Sequence, residues 1–162
     1  MEDLTNVIYF YGTKQWKEYF YMSNFYLAKI NLDDKEWKTT EHYFQAMKFS
    51  TTSPTLVEQV RLAETPREAA DLGRNRTNPR RNDWEEVKEE YMEKALYAKF
   101  TQHKKLKRML LDTGSKKLVE RTKNDSYWGD GGDGKGKNRL GFLLEKIRER
   151  LSKEEKAYQP EI

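Results

Sequence analysis

Five of this chain's nine glycines fall between Gly129 and Gly136, and a sixth, Gly141, follows shortly after. Glycine costs conformational entropy unless the backbone must enter unusual φ/ψ regions or approach another group closely. A run this dense therefore dictates an irregular loop and breaks any regular element that reaches it. It separates a short strand predicted over Lys117–Thr122 from a helical apolar pattern that begins at Leu140. A glycine-rich loop entering a helix presents several N–H groups and a positive dipole end, which together suit phosphate. Glycines alone would equally suit a surface turn. The close company of Trp128, Asp125 and Asn138 marks this loop as a candidate site.

Around that loop the pattern predicts an α+β fold, a single helix-rich domain with a small antiparallel β component. Val7–Tyr11 is β-branched and aromatic and reads as a buried strand. Phe25–Ile30 and Lys35–Trp37 flank Asn31–Asp34 as a hairpin. Thr39 or Thr40 caps a helix running to about Phe49, and Ser53-Pro54 opens the next. Thr65-Pro-Arg-Glu68 is a capping box for a short helix that Gly73 would end. Asp83–Phe100 is helical, with Glu90 and Lys94 expected to pair, and His103–Leu111 continues helical. Leu140–Leu151 closes the domain over residues 1–151, and a polar tail, residues 152–162, follows.

Composition narrows the chemistry. Only 36% of the 162 residues are hydrophobic, but 13% are aromatic, so rings must carry much of the core. The mean hydropathy of −1.08 and the short apolar runs predict no membrane span. Met1–Asn6 is polar and acidic and does not resemble a signal peptide, so a cytoplasmic location is expected. Zero cysteines exclude disulfides and thiolate chemistry, and two histidines alone make no metal site, so neither metal nor cofactor is expected. The net charge of +4 permits an anionic ligand without demanding nucleic acid. Arg74, Arg76, Arg80 and Arg81 cluster after Gly73, where the planar guanidinium suits bidentate phosphate contact. Lys104, Lys105, Lys107 and Arg108 read as a solvated face.

A second chemical feature lies in Thr40–Phe49. Glu41, Gln45 and Lys48 stand at i, i+4 and i+7 and share one helical face. From spacing alone this is a solvated polar stripe. If it faces a cleft, a desolvated Lys48 amine can act as a nucleophile toward a carbonyl or imine carbon, with Glu41 as proton shuttle.

Ser23-Asn-Phe25, Thr40-Glu-His-Tyr-Phe-Gln-Ala-Met-Lys-Phe49, Gly73-Arg-Asn-Arg76, Lys99-Phe100 and Asn124–Gly129 through Asn138–Gly141 resemble, in order, the YbiA/NADAR family. The resemblance runs from about Val7 to Leu151 and is nearest the bacterial YbiA branch. Met22 and Asp133 depart from the family pattern at positions given no chemical role. The resemblance implies an N-glycosidase acting on phosphoribosylamino-pyrimidine intermediates of riboflavin biosynthesis and releasing ribose 5-phosphate. Other members remove ADP-ribose from guanine in nucleic acid through a lysine Schiff base.

On that resemblance the partner is a small-molecule phosphoribosyl or ADP-ribosyl substrate, with ADP-ribosylated nucleic acid as the alternative. Lys48 and Glu41 are the expected catalytic pair. Lys48 would attack ribose C1 and Glu41 would protonate the leaving nitrogen or activate water. In a scheme without a covalent step, Glu41 is the base and Lys48 its charge partner. Tyr127 or Trp128 would stack on the base. Gly129, Gly131 and the amides through Gly136, with Asn138, would hold phosphate or ribose, and Asp125 would orient a hydroxyl. Asn24, Gln45 and Arg74 complete the expected substrate-binding set. Two rivals stand beside the enzyme: a module that binds ADP-ribose or NAD without turnover, and a nucleic-acid binder using the lysine run.

Overall fold

A computed structural model describes residues 6–11 and 14–158. Met1–Thr5 and the last four positions of the expected tail lie outside the described residues. In chain order the elements are β1 (Val7–Phe10), a 3-10 helix (Lys14–Met22), β2 (Ile30–Leu32), β3 (Lys35–Trp37), α1 (Thr40–Met47), α2 (Pro54–Leu62), α3 (Pro66–Arg74), α4 (Trp84–Gln102), α5 (Lys104–Asp112), β4 (Lys117–Glu120) and α6 (Arg139–Ala157). The chain divides into two compact units, one formed by Asn24–Gln102 and the other by Met1–Ser23 with His103–Ile162.

In the Asn24–Gln102 unit, β2 and β3 form the expected antiparallel hairpin, with Leu32 opposite Lys35 and Ile30 opposite Trp37. Asp33 and Asp34 take φ of 55° and 61°, the left-handed pair that a two-residue turn needs to match strand twist. Asp33 also accepts from Tyr43 Oη at 2.8 Å and Lys94 Nζ at 2.6 Å, so Lys94 pairs across to the hairpin rather than with Glu90. β2 spans Ile30–Leu32 where Phe25–Ile30 was expected, so it shares only Ile30 with the prediction and takes Asn31 and Leu32 from the expected turn. The Gln102 side chain bonds both the N–H and the C=O of Asn31, covering the strand's outer edge at 2.8 Å on each side.

α1 packs against α2, α3 and α4. Every residue from Thr40 to Met47 is buried, which explains how a polar stripe comes to lie inside the unit. Thr39 caps the helix by accepting from His42 N at 3.2 Å. The His42 ring is held at both nitrogens, by Thr39 Oγ1 at 2.7 Å and Ala63 O at 3.0 Å, and burial lowers its pKa. It is a structural histidine. Ser53 and Thr65 cap α2 and α3 through Leu56 N and Glu68 N. Rings fill the core as composition demands, with Trp37 edge-on to Tyr43 at 5.1 Å and Phe44 against Trp84 at 5.0 Å.

In the other unit β1 pairs with β4 in parallel, Val7 opposite Lys117 and Phe10 opposite Glu120. The expected small antiparallel β component is the β2–β3 hairpin; this second pair is parallel, and parallel neighbours need a long crossover and leave no local signal. Ile8, Phe10, Leu118 and Val119 are buried, and α6 packs on β4. A Cβ at Gly141 would fall 2.0 Å from Leu118 O, so that glycine permits the close contact. α6 continues to Ala157, past the expected end at Leu151, with an Arg150–Glu154 pair at 3.0 Å in its extension. Among the described residues no helix is long and apolar enough to cross a membrane.

Candidate active site

Five of the predicted site residues come together in the Asn24–Gln102 unit. Lys48 follows the last turn of α1 and is only 9% exposed. Its Nζ donates to Gly73 O at 3.2 Å, one of the carbonyls left over at the end of α3. The same Nζ lies 5.9 Å from the ring centroids of both Phe44 and Trp84. Burial pulls the Lys48 pKa down to about 8; Arg74 and Arg80 push the same way, while Glu41 opposes. At pH 7 roughly a tenth of the amine is then neutral, against a negligible fraction for an ordinary lysine. A buried lysine of this basicity is a competent nucleophile.

Glu41 sits in the first turn of α1 and is buried. Its Oε1 accepts from Gln45 Nε2 at 2.7 Å, and its backbone N–H donates to Asn24 O at 3.3 Å. The position near the helix N-terminus favours a negative charge. Asn24 is fixed in turn. Its Oδ1 accepts from Thr40 Oγ1 at 2.8 Å, and its Nδ2 meets Met92 Sδ at 3.4 Å. Gln45 is 2% exposed, and its Oε1 has no hydrogen-bond partner among the described residues. A buried carbonyl left without a donor costs about 1–3 kcal/mol. That oxygen lies against Gly73, where an added Cβ would come within 1.9 Å of it.

Gly73 was expected to end α3. The helix runs one residue further, to Arg74, and the missing side chain of Gly73 in its last turn makes room for Gln45 while its carbonyl holds Lys48. Sequence reasoning also missed the ring walls Phe44 and Trp84, whose helical spacing reads as ordinary core. Of the arginines, Arg74, Arg76 and Arg80 are exposed, and Arg80 pairs with Glu85 at 3.3 Å. Arg81 is buried in a fork on Asp83 at 2.6 and 2.8 Å and also donates to Ser50 and Tyr91, so it serves the fold.

The remaining candidates form a second cluster, in the glycine loop. Asp125 Oδ1 accepts from Tyr127 N and Trp128 N, both at 2.9 Å, and the two rings meet edge-on at 5.0 Å. Gly129 is packed so closely that a Cβ would meet Thr122 Cγ2 at 2.5 Å. The amides expected to cradle phosphate are largely engaged within the loop. Gly131 N donates to Asp125 O, Gly132 N to Asp130 Oδ1 and Gly136 N to Asp130 O. At the start of α6, Arg139 N and Leu140 N donate to Tyr127 O and Trp128 O. The Asn138 side chain bridges β4, donating to Leu118 O at 2.9 Å and accepting from Glu120 N at 3.0 Å.

Asp130, which the sequence did not single out, organises this loop. It is 2% exposed, accepts from Thr122 N and Gly132 N, and lies 2.6 Å from Arg121 Nε. The Arg121 N–H is not aimed at that oxygen, so the contact is an ion pair without a hydrogen bond. Among the described residues no group of three or more His, Asp or Glu side chains could hold a metal ion.

Comparison with known proteins adds four findings. Residues 9–152 match the NADAR domain model. The chain is 52% identical over 146 residues to N-glycosidase YbiA of Shigella boydii serotype 4 (strain Sb227), covering 90% of this chain and 89% of that one. It is also 38% identical over 160 residues to the chloroplastic riboflavin biosynthesis protein PYRR of Zea mays, covering 91% of this chain but 25% of that one. Among solved structures, the NMR structure of Escherichia coli YbiA superposes with a TM-score of 0.87 at 49% identity, covering 96% of this chain and 90% of that chain.

Proposed function

Because this chain belongs to the NADAR domain family, we propose that it hydrolyses the ribose–nitrogen bond of a phosphoribosylamino-pyrimidine intermediate of riboflavin biosynthesis and releases ribose 5-phosphate. The chain is an enzyme of the N-glycosidase class acting on a small-molecule substrate. The riboflavin assignment draws on the Zea mays relative, a riboflavin biosynthesis protein that contains a region similar to nearly all of this chain.

One observation carries the chemical reading: a buried Lys48 amine, pulled down to about 8, on the same helical face as a buried Glu41. In the proposed first step the neutral Lys48 nitrogen bonds to ribose C1, and the old C1–N pair leaves with the pyrimidine amine. The proton that Lys48 sheds passes by way of Glu41 to the leaving nitrogen. The lysine nitrogen's lone pair then expels the ring oxygen from C1, that oxygen takes a proton from solvent, and a C1=N iminium to Lys48 results. Water then adds to C1, Glu41 takes a proton from it, and collapse of the adduct frees the sugar and regenerates the lysine. Arg74 and Arg80, exposed and close enough to influence Lys48, are assigned to the phosphate.

The test is a mass-spectrometric turnover assay with 5-amino-6-(ribosylamino)uracil 5′-phosphate beside an ADP-ribosylated guanine oligonucleotide. Ribose 5-phosphate from the first alone is expected. ADP-ribose from the second alone would move the protein to nucleic-acid repair, and no product from either would favour a binding module. Borohydride added during turnover should attach the sugar to Lys48. A folded Lys48→Ala protein with full activity would eliminate the covalent scheme.

A further inference from the structure

The Gln45 side chain is buried in the middle of α1 with one end satisfied and the other orphaned. An apolar side chain of similar size would fill this position without an orphaned carbonyl. The amide is therefore worth its cost only through the end that is used, the Nε2 donor on Glu41 Oε1 at 2.7 Å. That donor suits an ionised carboxylate, because a hydrogen bond to an anion is shorter and stronger than one between neutral groups. The orphaned Oε1 reinforces the point. It lies against Gly73, whereas a protonated Glu41 would be best served by the amide turned over, with the carbonyl accepting the acid's proton.

The groups around this pair act in the same direction. Glu41 lies in the first turn of α1, where the helix dipole favours negative charge. Lys48 on the same face supplies a positive partner. Gln45 also touches the other half of the chemistry. Its Oε1 packs on Gly73, and the Gly73 carbonyl is the acceptor for Lys48 Nζ. A single amide thus stands between the two groups assigned to catalysis.

We propose that Gln45 is a positioning residue, reassigned from the substrate-binding set, which holds Glu41 as an aimed carboxylate and so commits it to enter the reaction as a base. This deepens the proposed function and rests on it. Glu41 begins the cycle without a proton, first taking the one Lys48 sheds and later one from the attacking water. It is not a resident acid waiting for the leaving nitrogen.

The experiment has an arm that needs no substrate. In the unmodified protein, the Glu41 carboxyl carbon and the Gln45 side-chain amide are followed by NMR against pH. Both signals should shift with one midpoint. Independent behaviour of the two would overturn the proposal whatever the enzyme's substrate. The second arm uses Gln45→Met and Gln45→Glu. In each, the Glu41 carboxyl should titrate at higher pH, by about one unit, because the donor is lost or a second carboxylate is added. The acidic limb of kcat should move up with it, and kcat should fall at least about tenfold with KM changed less than about threefold. A thermal midpoint lowered with the acidic limb unmoved would mean that Gln45 only packs. Turnover absent from the unmodified protein, with co-titration intact, would count against the proposed function alone.

Discussion

Lys48 and Lys99 both give up ordinary lysine basicity, but in different surroundings. Lys48, at the end of α1, remains slightly exposed with its amine on Gly73 O, while Lys99 is completely buried on α4 against the rings of Tyr26 and Phe100. Burial brings the Lys99 pKa down to about 7. For Lys48 the expected signature is catalytic. If the neutral amine attacks, kcat/KM rises about tenfold per pH unit below pH 8 and flattens above it. A profile flat from pH 6 to 9 would remove the nucleophile from the scheme. For Lys99 the signature lies in stability. The folded chain binds fewer protons at this site than the unfolded chain between about pH 7 and the ordinary lysine range near 10.5, so stability should climb as pH rises through that window. Lys99→Met should accordingly raise the thermal midpoint more at pH 6 than at pH 9. An equal change at both would show that this amine is not titrating in the fold.

Element by element, the glycine loop is a self-supporting structure. Asp130 ties the end of β4 to the turn at Gly132, and the amides that open α6 are returned to Tyr127 and Trp128. Removing the Asp130 carboxylate leaves two amides without their acceptor and the Arg121 guanidinium without its ion-pair partner, so Asp130→Ala should cost about 3 kcal/mol in denaturant unfolding. A loss under about 1 kcal/mol would mean the loop is held by its backbone alone. Much of this architecture was open to inference from the chain. Thr39, Ser53-Pro54 and Thr65-Pro66 announce their helices because a cap and the N–H groups it satisfies lie within three residues of each other. Glu41, Gln45 and Lys48 were legible as one face for the same reason. What escaped depends on distant partners. The parallel pairing of β1 with β4, the burial of Arg81 and the room Gly73 makes for Gln45 involve residues far apart in the chain. No local pattern reports them. The glycine loop was recognised as special, but the purpose of its amides was hidden, since their acceptors are fixed only once the loop has closed.

Across the whole molecule, 31 basic residues against 27 acidic ones leave a mild positive excess. That excess should draw in an anionic substrate. Between about 25 mM and about 300 mM salt, kcat/KM should fall about two- to fivefold while kcat holds, because screening acts on encounter and not on the bound state. A salt-independent kcat/KM would place recognition entirely in short-range contacts. The pairing of β1 with β4 has a separate consequence for how the chain is made. A ribosome delivers β1 first and its partner β4 only after roughly a hundred further residues, a loop whose closure carries an entropic cost. Asn24–Gln102 emerges whole in the meantime, with all its internal partners to hand. The nascent chain therefore carries an unpaired strand while the residues between β1 and β4 emerge, and over that interval Val7–Phe10 needs shelter from other chains.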